Sequence, residues 1–151
     1  MQRKRMNIEG EILKKFVEMA HKYGYNVFKG QGKDNRIIID GNTYFQFGDL
    51  RVDTETYHIV IEAESAGGVT NLVKYWYCLE KNLDIIKKPI VLFHVFHQSS
   101  EADYGSHLSL WRFLRDKMQT AVGDKIKAAC YTYKNYEDIE AIVNDFEKYL
   151  V

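Results

Sequence analysis

The order of hydrophobic periodicities along this 151-residue chain predicts an α/β domain, a mixed central sheet flanked by helices. Three observations carry that expectation. Helical spacing opens the chain, alternation broken by turn residues follows over 25–65, and the second half alternates helical stretches with short runs that are apolar on both faces. A hairpin meander that passes into alternating helix and strand is the pattern of a mixed sheet sandwiched by helices.

Ile8, Ile12, Phe16, Val17, Ala20 and Tyr23 recur at helical spacing, with Asn7 placed to cap the start and Gly24 to stop the helix. Extended segments are expected at Tyr25 to Phe28, Arg36 to Asp40, Thr43 to Asp53 and Tyr57 to Ser65. Gly30 to Asn35 and Gly41-Asn42 supply turn chemistry between them. Leu72, Trp76, Leu79 and Leu83 mark one side of a helix over 70–83, entered through Ala66-Gly67-Gly68. Pro89 to Val95 is apolar on both faces and suits a central strand. A loop over 98–104, a helix over 106–121 (Leu108, Trp111, Leu114, Met118), a strand over 126–133 and a helix over 135–150 (Ile139, Val143, Phe146, Leu150) complete the order.

No repeat, linker or compositional break divides the sequence, so residues 1–151 are read as one domain, long enough to bury roughly 68–70% of its unfolded surface. With 46% hydrophobic and 28% charged residues and a single proline, disordered and collagen-like classes are excluded. Apolar runs fall far short of the ~20 residues a membrane helix needs, and no signal-type core follows the start. A protein that neither enters a membrane nor is exported is expected. Cys78 and Cys130 lie far apart without CxxC spacing, which fits a reducing cytoplasm. Lys+Arg and Asp+Glu both number 21, which counts against tight non-specific nucleic-acid binding, although Gln2-Arg3-Lys4-Arg5 is a local basic patch or a solvated end.

The strongest chemical signal is Asp49, in Phe47-Gly48-Asp49-Leu50-Arg51-Val52-Asp53, followed by Glu62-Ala63-Glu64. In a strand Glu62 and Glu64 project from one face, where they repel each other unless a cation or proton intervenes. If the hairpin turns at Thr54-Glu55, or over the four residues Asp53 to Thr56, Val52 pairs with Tyr57. Asp49 then falls opposite Val60, on the face of Glu62, roughly 7–8 Å away on the diagonal. An odd turn or a bulge would send Asp49 to the other face. Hard oxygen ligands of this kind suit Mg²⁺ or Mn²⁺ rather than zinc. Solvated acids at a strand end are the competing reading. Ser65-Ala66-Gly67-Gly68 at the following helix start offers free backbone N–H groups to a phosphate, so a cation site would adjoin an anion site, as a phosphodiester requires.

That order, helix, hairpin with Asp, strand with Glu-x-Glu, helix, strand, resembles the core of the PD-(D/E)XK nuclease superfamily, which includes many restriction endonucleases and DNA-repair nucleases. The resemblance covers Asn7 to His97 and implies a restriction-endonuclease-like αβββαβ core with an αβα extension. Asp49 matches the Asp of the motif, Glu62 its (D/E), and Glu64 the position usually held by Lys; Gly48 stands where Pro is frequent. Asn71-Leu72-Val73-Lys74-Tyr75 is similar to the Gln-x-x-x-Tyr of RecB-like members, with Asn for Gln. The resemblance implies a Mg²⁺-dependent DNA endonuclease in which Asp49, Glu62 and the Ala63 carbonyl bind the ion. Glu64 orients the water or holds a second ion, and Lys74 replaces the motif lysine or pairs with phosphate. Gly67, Gly68, Asn71 and Tyr75 lie on the substrate side.

Solvation for Lys74 and packing for Tyr75 are the plainer alternatives. His94 and His97, three apart in a strand, face opposite sides and make a poor metal pair; His97 is the one placed to touch substrate, and His107 reads as surface. Asp40 and Asp53 read as turn residues, with Asp53 the substitute for Asp49 in another register. No GxxxxGK, GxGxxG, HExxH or GxSxG motif is present. The rival readings are a relative without catalysis that binds DNA or protein, an RNA-directed nuclease, and an unrelated α/β domain. With 11 Tyr, 8 Phe and 2 Trp, aromatic side chains suffice for a dimer interface, or for the core and a DNA groove.

Overall fold

The computed structural model describes residues 8–64, 69–98 and 105–151. Helix α1 (Ile8–Lys22) buries Ile12, Phe16 and Ala20, one residue per turn, and ends where Gly24 takes a φ of +81°. Strands β1 (Phe28–Lys29), β2 (Arg36–Asp40), β3 (Thr43–Gln46), β4 (Leu50–Asp53) and β5 (His58–Glu64) follow. Helix α2 (Val69–Glu80), β6 (Ile90–His97), α3 (Gly105–Val122), β7 (Ile126–Tyr133) and α4 (Tyr136–Glu147) complete the order. Asn135 caps α4 by accepting from the Asp138 N–H at 3.0 Å.

Five strands form one sheet in the order β1-β4-β5-β6-β7, and β2 and β3 form a separate two-stranded sheet. The pairs β1/β4 and β4/β5 are antiparallel; β5/β6 and β6/β7 are parallel. The architecture is therefore α/β with a mixed five-stranded sheet between helices, and the change from antiparallel to parallel occurs at β5. Alternation along β5 and β6 sends Ile59, Ile61, Phe93 and Val95 to a core with Ile12, Phe16 and Phe146. Val60, Leu92 and Phe96 go to a second core with Leu72, Tyr75, Trp111 and Met118. Trp111, Tyr133, Phe93 and Phe146 are among the large aromatics fully buried in these cores, while Tyr23, Tyr44, Tyr77, Phe113 and Tyr136 are exposed. Among the described residues no helix is long and apolar enough to cross a membrane.

Four expectations need correction. The segment 43–53 is not one strand: it breaks at Phe47-Gly48-Asp49, so β3 and β4 belong to different sheets. Gly48 has a φ of +84°, and a Cβ there would stand 2.4 Å from Val60 Cγ1 and 2.8 Å from the Leu50 carbonyl oxygen. The first extended segment is displaced too, pairing only at Phe28 and Lys29. The helix over 70–83 stops at Glu80, and Asn82 takes a φ of +51°. Finally, Val52 pairs with Ile59, not Tyr57, because Thr54 to Tyr57 all lie in the turn. There Thr54 Oγ1 accepts from the Tyr57 N–H at 2.9 Å, and the Thr54 N–H donates to the Tyr57 carbonyl at 2.9 Å. The displacement is even, so each side chain keeps its face.

Candidate active site

Continuing the β4/β5 register by one residue brings Asp49 opposite Glu62 rather than Val60. The Asp49 N–H still donates to the Ile61 carbonyl, at 3.0 Å. Its carboxylate turns along the end of β5: Oδ2 accepts from the Ala63 N–H at 2.8 Å and Oδ1 from Gln46 Nε2 at 3.1 Å. Because the N–H and C=O of a strand residue point to the same side, the Ala63 carbonyl also faces the Asp49 side, past the amino end of β4.

Glu62 is 2% exposed. Its Oε2 accepts from Lys74 Nζ at 2.6 Å and from the Tyr75 hydroxyl at 2.8 Å. Lys74 also donates to the Gln46 carbonyl at 2.9 Å, and its side chain is only 9% exposed, so it is not a solvated helix lysine. Tyr75, fully buried, both packs in the core and donates to the site. Burial pushes the Glu62 carboxyl above the usual carboxylate range; the Lys74 charge and hydrogen bonds oppose that, and the Asp49 charge adds to it. Burial, and then the Glu62 and Asp49 charges, raise the Tyr75 hydroxyl well above its ordinary value, so it stays a donor.

Glu64, two residues on, has a different setting. Asn71 Nδ2 donates to its Oε1 from α2, and His94 Nε2 lies 3.5 Å from the same oxygen. The acids therefore divide between two environments: Glu62 holds the lysine, Glu64 faces Asn71 and His94, and Asp49 is close enough for its charge to act on Glu62 and Tyr75. Among the described residues no three His, Cys, Asp or Glu side chains form a ready-made metal cage. Gly67 and Gly68 lie outside the described residues.

Sequence reasoning gave Gln46 no role, set His94 aside as half of a poor metal pair with His97, and read Trp111 only as part of the apolar side of its helix. His94 is fully buried, opposite Glu62 in the parallel ladder, and its Nδ1 accepts from Trp111 Nε1 at 2.9 Å. The available signal was a lone polar residue in the apolar run Ile90 to Phe96. His97, at the strand end, packs on Tyr133 with ring centroids 5.4 Å apart, and His107 is exposed on α3. Asp40 ends β2 and is exposed.

Asp53 is not a turn residue: it sits in β4 and accepts from His58 Nδ1 at 2.7 Å, with Arg51 Nε 3.3 Å away. Burial pushes the Asp53 carboxyl up, but the His58 hydrogen bond and the Arg51 charge outweigh it and hold the group below its ordinary value. Arg51, sandwiched between Phe28 and Phe47, is thereby committed to Asp53 rather than to Glu62. No family model, curated protein or solved structure matches the chain.

Proposed function

We propose that the chain is a Mg²⁺- or Mn²⁺-dependent DNA endonuclease with a restriction-endonuclease-like core, the Glu-x-Glu form of the PD-(D/E)XK arrangement. One observation carries this reading: Lys74, from the helix after the Glu-x-Glu strand, reaches back to Glu62 at 2.6 Å, beside Asp49. A buried lysine on the motif acid gives the chain the cation that Glu64 removes from the motif. The donor chemistry fits a hard cation. Asp49, Glu62 and Glu64 meet one lysine among the described residues, which leaves excess negative charge, and all their donor atoms are oxygens.

Asp49, Glu62, the Ala63 carbonyl and Glu64 would hold the ion. When bound, it polarises the scissile phosphate and makes water a better nucleophile. The chain's own groups do the rest. Lys74 keeps Glu62 ionised despite its burial and offers a positive charge to the phosphate, while Glu64 accepts the proton of the attacking water. The water oxygen bonds to phosphorus as the ester P–O bond breaks, and solvent protonates the leaving oxygen.

A second reading, a nuclease-fold domain without catalysis that binds DNA or protein, draws on Glu64, which stands where the motif usually has its lysine. Calorimetric titration with Mn²⁺ and cleavage of supercoiled plasmid separate the two. The endonuclease should bind Mn²⁺ and nick or linearise plasmid, with Asp49→Asn and Glu62→Gln each slowing cleavage by about 10²–10³. Glu64→Lys should keep cleavage that Glu64→Ala loses. A chain that retards DNA in a gel but neither binds Mn²⁺ nor cuts is the inactive form. Sedimentation with and without duplex tests a working dimer, the simplest way to present two sites to two strands.

A further inference from the structure

His94 sits in a strand otherwise apolar on both faces, with no exposed surface, and its ring packs 4.4 Å from that of Phe96 and 6.2 Å from that of Trp111. An imidazole buried there has two nitrogens to satisfy. Trp111 Nε1 lies 2.9 Å from Nδ1, and an indole nitrogen only donates. Nδ1 is therefore the acceptor, and the ring proton sits on Nε2. Nε2 is buried, has no hydrogen-bond partner among the described residues, and lies 3.5 Å from Glu64 Oε1, the oxygen that Asn71 reaches from α2.

We propose that His94 is a positioning residue for Glu64: Trp111 fixes its tautomer, and its Nε2–H closes on the Glu64 carboxylate to aim it into the site. The inference rests on the nuclease reading, in which Glu64 takes the proton of the attacking water. Three elements converge to hold that one carboxylate: β5 carries it, α2 supplies Asn71, and β6, braced by Trp111 of α3, supplies His94. Both donors are neutral. They fix the direction of Glu64 without cancelling its charge, unlike the lysine on Glu62, and leave it available to a cation or a water proton.

Two-bond ¹H–¹⁵N correlation spectra of histidine-labelled chain, near neutral pH and without metal, read the tautomer directly. The proton is expected on Nε2 of His94. Glu64→Gln should move the Nε2 resonance, and Trp111→Phe should release the second tautomer. A wild-type proton on Nδ1, or an Nε2 resonance indifferent to Glu64→Gln, overturns the proposal. In plasmid cleavage His94→Leu should cost about 10–100-fold, with His94→Gln, which retains an N–H donor, recovering part of the loss; equal rates for wild type and His94→Leu also overturn it. Should His94→Leu fail to fold, the spectra of wild type and Glu64→Gln still decide. If the wild-type chain neither binds Mn²⁺ nor cuts DNA, the nuclease reading falls, while the spectra decide separately whether His94 holds Glu64.

Discussion

Glu62, Lys74 and Tyr75 form the tightest polar cluster of the site, and their energetics follow from burial. A carboxyl group that is 2% exposed has lost its water, and Lys74 and Tyr75 supply the hydrogen bonds that oppose the cost of burying its charge. Lys74→Met removes the cation and leaves the acid behind, which should destabilise the fold by about 3–5 kcal/mol. Replacing both partners, Glu62→Gln with Lys74→Met, should restore most of the loss, since no buried charge then lacks a partner; urea unfolding of the two single variants and the double measures the cycle.

The pH dependence has a fixed sign. The folded-state value of Glu62 lies above 4.5, so the folded chain holds this proton more tightly than the unfolded one. Its contribution to stability therefore falls as pH rises from 4.5 through the folded-state value, and the fall should steepen in Lys74→Met. The three acids were legible in the sequence because residue type and strand parity single them out locally, whereas Lys74, on α2, read more plainly as a solvated helix lysine. His94 and Gln46 were not, because their roles depend on contacts with α3 and α2 that no short spacing encodes.

Among the elements, the bend at Phe47-Gly48-Asp49 does most to shape the site. It ends β3, transfers the chain to the five-stranded sheet, and leaves Asp49 just before β4 with its carboxylate free to turn toward the Ala63 N–H. Asn35 braces the bend, its Nδ2 donating to the Gly48 carbonyl at 3.1 Å. Gly48→Ala meets Val60 Cγ1 and the Leu50 carbonyl and must hold a left-handed φ, so a loss of about 1–3 kcal/mol from the backbone alone is expected in thermal unfolding. Adding Val60→Ala should relieve the side-chain clash and leave the backbone cost. A double variant as stable as Val60→Ala alone would show that neither the left-handed φ nor the Leu50 carbonyl contact costs anything here.

The alternation over 43–53 concealed this break, since periodicity records which residues are apolar and not where the ladder changes partner. Strand parity survived the misplaced turn for a related reason. The displaced register is even, and an even slip keeps each paired side chain of β4 on the face that the shorter turn would have given it. The run from Ile90 onward was easier to place, because a strand covered by helices on both sides has no polar face to confuse it.

On the scale of the whole molecule, two cores press on opposite faces of one sheet, and β5 and β6 contribute to both. The site lies at the carboxyl end of β5, where buried strand gives way to residues that are only partly covered. Glu62 and Glu64 are thus anchored to a deeply buried strand and Asp49 stands just before β4, whereas Gln46 comes from β3, in the two-stranded sheet where Ile38 and Tyr44 are exposed. Local opening should follow the same division, because the free energy of exposing an amide tracks the apolar burial lost with it. Hydrogen exchange followed by mass spectrometry should therefore find β5 and β6 the slowest segments, exchanging only on global unfolding. The β2–β3 hairpin should open at lower free energy and carry Gln46 away from Asp49 and Lys74 as it does so. If β2 and β3 exchange as slowly as β6, the hairpin is part of the cooperative core, and the side chain of Gln46 is as firmly fixed as Glu62.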